Sequence, residues 1–248
     1  MLDWISLNPE LLRLVKGKRI SLIGPAPYLK DQSRGAEFDS YDLIARPNEI
    51  IPLPELRQDY GSRTDLFFCN FGTPWMPGIK RKIMLNDNEE HFKKIQMVIA
   101  SAIKADHSEG NFMTWSDDHI SAIPSNFDSI NTPQLPFYWI GVRDYKSIHQ
   151  RIGVEFNTGI AAITMLMHYP IAELNLAGFT FYNGGNSYDE LYCKGHMDSI
   201  DTNGRRFGFS GGHGDHAHIR QIQFFKALYE NYRHVINVDE TMKDVLSI

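Results

Sequence analysis

Cysteine is scarce in this chain: Cys69 and Cys193 are the only two in 248 residues. That is too few for a disulfide framework and points to a reducing compartment. Long apolar runs are missing as well. No segment approaches the ~18 consecutive apolar residues that a membrane-spanning helix needs. The longest candidate, Gly159 to Met167, has the length of a buried helix. The opening Met1-Leu2-Asp3-Trp4 has no basic stretch followed by an apolar one, so a cytoplasmic protein without a signal peptide is expected. A basic surplus is absent too. Lys and Arg number 25 against 30 Asp and Glu, a net charge of -5, which disfavours binding nucleic acid over a broad surface. Finally, no Gly-x-Gly-x-x-Gly loop follows a strand, which puts a dinucleotide oxidoreductase last among the alternatives.

What is present fits an ordinary globular protein, with 42% apolar and 22% charged residues. The pattern predicts a short amphipathic helix over residues 1–17, stopped by Gly17. Strands are expected at Lys18–Gly24, Tyr41–Arg46 and Thr64–Asn70, with further apolar runs at Ile95–Ile103 and Pro136–Ile140. Gly159–His168 reads as a buried helix, Ala172–Phe179 as a central strand and Gln221–Tyr232 as a closing helix. Strands alternating with helices imply a single Rossmann-like α/β domain over 1–248, built on a mainly parallel sheet flanked by helices. The nucleotide-binding core is expected at about 18–70 and 156–232. The polar stretch 104–135, rich in Ser, Asn, Asp and Pro, predicts a long surface loop.

Four places carry chemistry. The first strand ends in Gly24-Pro25-Ala26-Pro27, at the kind of sheet edge where nucleotides bind in open α/β folds. The second strand ends in Arg46-Pro47-Asn48. Asn48 offers a donor and an acceptor to a ribose, base or phosphate, and Arg46 a fork for a carboxylate or phosphate. The plainer alternative is a strand-ending turn, with Arg63 pairing Asp59 or Asp65. Phe156-Asn157-Thr158-Gly159 opens the buried helix, where free N–H groups attract anions, and the strand after it ends in Gly178-Phe179. The fourth place is Gly211-Gly212-His213-Gly214-Asp215-His216-Ala217-His218. Its histidines suit a general base or a metal, although the spacing is not a usual zinc spacing. His213 and His218 read as solvated loop residues.

Taken together and in order, these segments resemble the animal-type sialyltransferases, glycosyltransferase family 29. The family's long motif is similar to Leu22-Ile23-Gly24…Gly35…Phe38-Asp39…Asp42-Leu43-Ile44-Ala45-Arg46-Pro47-Asn48…Asp59-Tyr60-Gly61-Ser62-Arg63-Thr64-Asp65. Its short motif is similar to Asn157-Thr158-Gly159…His168…Gly178-Phe179, and its last motif to His216…Gln221. Pro25 stands where the family has Asn, Asn157 where it has Ser and Gln221 where it has Glu. The third motif is matched loosely by Ser187–Tyr192, without its His.

The resemblance implies a GT-A-like variant of the fold and an inverting, metal-independent glycosyltransferase with no cofactor. That enzyme would move sialic acid, or the related sugar acid Kdo, from its CMP ester to a glycan hydroxyl. It assigns His216 as base and Tyr188 or His196 to the leaving phosphate. Gly24, Ala26, Asn48, Asn157, Thr158, Gly159, Gly178 and Phe179 would hold the donor. The alternatives are a metal-dependent hydrolase on the histidine cluster and a nucleotide-binding protein without catalysis.

Overall fold

The computed structural model describes residues 2–47, 52–69, 89–101, 122–129, 131, 134–153, 156–181, 199–200, 206–207 and 218–248. Seven strands form one sheet: β1 (Arg19–Ile23), β2 (Leu43–Pro47), β3 (Leu66–Cys69), β4 (Met97–Ala100), β5 (Phe137–Trp139), β6 (Glu173–Ala177) and β9 (Ile236–Val238). Their order is β5-β4-β3-β2-β1-β6-β9, and every neighbouring pair is parallel. A separate antiparallel pair joins β7 (Ser199–Ile200) to β8 (Arg206–Phe207). Strands β3 and β4 are apolar throughout, as a sheet covered on both faces requires: Leu66–Cys69 and Met97–Ala100 are buried at every position.

The helices are α1 (Pro9–Val15), α2 (Gly35–Asp39), α3 (Arg57–Tyr60), α4 (Glu89–Phe92), α5 (Ile123–Asp128), α6 (Gly141–Ile152), α7 (Thr158–Leu166), α8 (His218–Tyr232) and α9 (Glu240–Leu246). The first is shorter than the sequence predicts. Asn8 caps it by accepting from Leu11 N, and Gly17 turns the chain at φ +69°. Helix α7 is buried at all nine positions and lies against β2 and β3. Its apolar composition is thus explained by enclosure, with roughly 1.5–3 kcal/mol contributed by each large side chain.

The expected surface loop at 104–135 needs correcting over its described part. Helix α5 lies there and buries Ile123 and Phe127 completely; the Phe127 ring stacks on Phe137 with centroids 4.2 Å apart. Two apolar anchors at i and i+4 suffice to pin a helix in an otherwise polar stretch.

The chain adds β2 to β5 outward on one side of β1 and then returns to lay β6 on the other. The carboxyl ends of β1 and β6 therefore flank the point where strand order reverses, which is where open α/β sheets bind ligands.

Candidate functional site

At this reversal point the two strand ends are stitched together. Gly24 N donates to Ala177 O at 2.8 Å, and Ala26 N donates to Gly178 O at 3.0 Å. A Cβ on Gly24 would collide with the Gly178 carbonyl, and one on Gly178 with the Gly24 carbonyl. Gly178 also takes φ +79°, a region that favours glycine. Both glycines are thus accounted for by contact between the strand ends. Tyr60 adds a further tie, its hydroxyl donating to Ala26 O at 2.8 Å. Pro25 and Pro27 carry no N–H. From Gly24 to Pro27, then, no backbone donor is left for a phosphate, unlike in a glycine-rich dinucleotide loop.

The free donors lie at the start of α7. Asn157 is the N-cap, and its Oδ1 accepts from Ile160 N at 2.8 Å. The N–H groups of Thr158 and Gly159 make no hydrogen bond among the described residues, and both residues are buried. Phe179 lies beside them. A Cβ on Gly159 would sit 2.8 Å from Phe179 Cε1, and one on Gly24 would sit 3.0 Å from Phe179 Cδ1. One aromatic ring thus spans the end of β1 and the beginning of α7. Buried amides without partners are rare, and a pair of them at a helix start favours an anion.

Two more elements reach this edge. Gln221, in the first turn of α8, is buried, and its Oε1 accepts from Asn157 N at 3.3 Å. After β9, Asp239 caps α9 by accepting from Met242 N at 2.8 Å. The other carboxylate oxygen of Asp239 accepts from the Tyr28 hydroxyl at 2.9 Å and pairs with Arg34 at 3.4 Å. The Tyr28 oxygen in turn accepts from Gly178 N at 2.6 Å. Burial, with the Asp239 carboxylate beside it, pushes the Tyr28 phenol far above its ordinary value, so it stays protonated and donates. Burial also raises the Asp239 carboxyl, against the opposing pull of its hydrogen bonds. Sequence reasoning missed both residues. The turn at Gly24–Pro27 says nothing of the Tyr28 hydroxyl, and Asp239 caps a helix that the sequence pattern does not predict.

Of the residues singled out in the sequence, Gly24, Ala26, Asn157, Thr158, Gly159, Gly178 and Phe179 come together at this edge. Asn48, Tyr188, His196 and His216 lie outside the described residues, as do the side chains of the rest of the histidine cluster. Arg46 is not available as an anion fork. It is fully buried, and its Nε and Nη2 donate to Arg63 O (2.9 Å) and Tyr60 O (2.6 Å). Arg63 pairs with Asp65 at 2.9 Å, as the plainer alternative had it, whereas Asp59 accepts instead from Ser33 N at 2.7 Å.

The long-motif acids are structural clamps. Asp39 accepts from Ser62 N, Ser62 Oγ and Arg63 N, and Asp65 from Ile44 N, Arg63 and Gln96. His168 lies past the other end of α7, roughly 14 Å of helix away. It is fully buried, with Nδ1–H donating to Thr164 O at 2.7 Å.

Among the described residues, no group of three or more His, Cys, Asp or Glu is placed to hold a metal ion, and no helix is long and apolar enough to cross a membrane.

No family model matches the chain, and no curated protein matches its sequence. Among solved structures it is similar to a mammalian sialyltransferase. One such structure, in complex with Gal-beta-1-3GalNAc-ortho-nitrophenol, is 16% identical, with 95% of this chain covering 74% of that one at a TM-score of 0.48. A second structure of a mammalian sialyltransferase is 15% identical, with 95% covering 75% at a TM-score of 0.49.

Proposed function

We propose that this protein is an inverting glycosyltransferase that moves a 2-keto sugar acid, sialic acid in the first instance, from its CMP ester to a glycan hydroxyl. The observation that carries the reading is the pair of buried N–H groups at Thr158 and Gly159, which make no hydrogen bond among the described residues, beside the strand-order reversal. Such a donor presents a carboxylate and a phosphate diester on one carbon. A helix start with two free amides suits either anion. The Phe179 ring alongside offers an apolar wall, and Asn48, which follows β2 in the sequence, would bind the cytidine or ribose.

In the proposed reaction the acceptor hydroxyl oxygen attacks the anomeric carbon while the bond to the CMP phosphate breaks. The hydroxyl proton passes to His216, and the electron pair leaves with CMP, inverting the centre. Charge develops on the leaving phosphate and on an oxocarbenium-like sugar, and Tyr188 or His196 would stabilise the phosphate. The hydrogen bond from Asn157 N to Gln221 supports the placement of the base. It fixes the first turn of α8 beside the helix start, and His216 precedes Gln221 by five residues. Chain connectivity limits its Cα to within about 12 Å of the Gln221 Cα.

The test is a thermal-shift and transfer assay on the full chain. CMP and CMP-sialic acid should stabilise it, by about 2.7 kcal/mol at a hundred times the dissociation constant. His216→Ala should keep CMP binding and lose transfer, and a chelator should leave transfer intact. Absence of any CMP binding at millimolar concentration would remove this reading.

A further inference from the structure

The carboxyl edge holds a second pair of amides of the kind that binds anions. Gly178, at positive φ, and Phe179 follow β6 at the reversal point, and successive N–H groups in such a turn make an anion-binding concavity. Here the concavity is already filled from within. The Tyr28 oxygen accepts from Gly178 N at 2.6 Å, and the Phe179 N–H acts on the same oxygen. The phenol proton is directed to Asp239 Oδ2 at 2.9 Å. That carboxylate is mostly buried and shares the Arg34 guanidinium with Glu37, so its nearest ion pair is divided between two carboxylates. The neighbouring β1 loop has no backbone donor free from Gly24 to Pro27. Of the amides accounted for at this edge, only the Thr158 and Gly159 pair is open.

We infer that Tyr28 and Asp239 determine the donor class, admitting a nucleoside monophosphate ester and rejecting a nucleoside diphosphate. The inference rests on the nucleotide reading above and adds the residues that set its phosphate count. A first phosphate is met by Thr158 and Gly159. Among the described residues a second has no amide to receive it, because the Gly178 and Phe179 pair is closed by the Tyr28 hydroxyl. It would also approach the Asp239 carboxylate from across that hydroxyl. Unpaired charge and like-charge proximity both act against the wrong ligand, which is how specificity is built by exclusion.

Calorimetric titration of the full chain with CMP and with CDP tests this. The wild-type protein should bind CMP about tenfold or more tighter than CDP. Tyr28→Phe keeps the ring but removes the hydroxyl, freeing the Gly178 and Phe179 amides, and the ratio should fall toward one, mainly through tighter CDP binding. Asp239→Asn keeps a capping oxygen for Met242 N and removes the charge. It should narrow the ratio too, and it carries the test if Tyr28→Phe does not fold. Equal wild-type affinities, or a ratio unchanged in a folded variant, overturn the inference while leaving the nucleotide reading in place. Binding of neither nucleotide overturns both.

Discussion

Single residues at the reversal point show how the same letter serves structure or ligand according to what surrounds it. The glycines at 24 and 178 are legible in the sequence as strand-ending glycines. That they face each other is not, because nothing local to either one encodes a contact 154 positions away. Arg46 is harder still. A cation at a strand end next to an Asn suggests a ligand, yet it is fully buried and holds the carbonyls of Tyr60 and Arg63. Such a residue cannot be told from an anion fork without knowing which carbonyls lack partners. Gly178→Ala is the informative change at this scale. The new Cβ would meet the Gly24 carbonyl while the backbone is held at φ +79°. Left-handed backbone alone costs a non-glycine residue about 1–3 kcal/mol, and the collision adds to it. The urea midpoint should fall accordingly. A variant as stable as the wild type would mean that the β1 and β6 ends separate easily.

At the scale of elements, β1, β2, β3, β6, α7 and the body of α8 were readable, because apolar runs bounded by Gly and Pro identify buried strands and an all-apolar stretch identifies an enclosed helix. Helix α6, strand β9 and helix α9 were not. Strand β9 is only three residues long, with Asn237 exposed in its middle, and α6 is amphipathic, with its polar residues leading. The approach of α8 to α7 was also beyond sequence reasoning, since it includes a polar pair, Gln221 with Asn157, that no local pattern encodes. That pair gives a prediction about elements. Gln221→Ala leaves the partly buried Asn157 amide without this acceptor, a loss on the order of 1 kcal/mol, and releases the start of α8 from the helix start it borders. CMP affinity should drop with stability. CMP dissociation constants measured for the wild type and the variant decide it. Equal affinity in Gln221→Ala would show that α8 does not help to align the anion-binding end of α7.

For the whole molecule, the distribution of buried histidines predicts how it responds to acid. His91, against Thr64 at 3.2 Å, is pushed down to about 4, first by burial and then by the positive charges of Arg46, Arg57 and Lys94. His149 on α6 and His168 beyond α7 are lowered by burial as well. Their Nε2 atoms are buried and have no hydrogen-bond partner among the described residues, so protonation would place a charge that none of those residues receives. Each of the three takes a proton less readily in the folded chain than in the unfolded one, whose reference value is 6.5. Below that value the unfolded state binds more protons, so stability falls as pH falls. The contribution is fully present above pH 6.5 and lost progressively down through the folded values, near 4 for His91. Each histidine adds at most about 1.4 kcal/mol per pH unit to that slope. Because the three sit on separate elements, the loss is spread across the fold, and no single segment should detach first. Urea midpoints should therefore decline from pH 7 to pH 5 by every spectroscopic probe alike. His91→Gln, which can still hydrogen-bond Thr64, should flatten the decline without abolishing it, since His149 and His168 continue to act. A midpoint independent of pH across that range would mean that these imidazoles meet water or a counter-charge when protonated, and the enclosed core described for α6 and α7 would have to be opened accordingly.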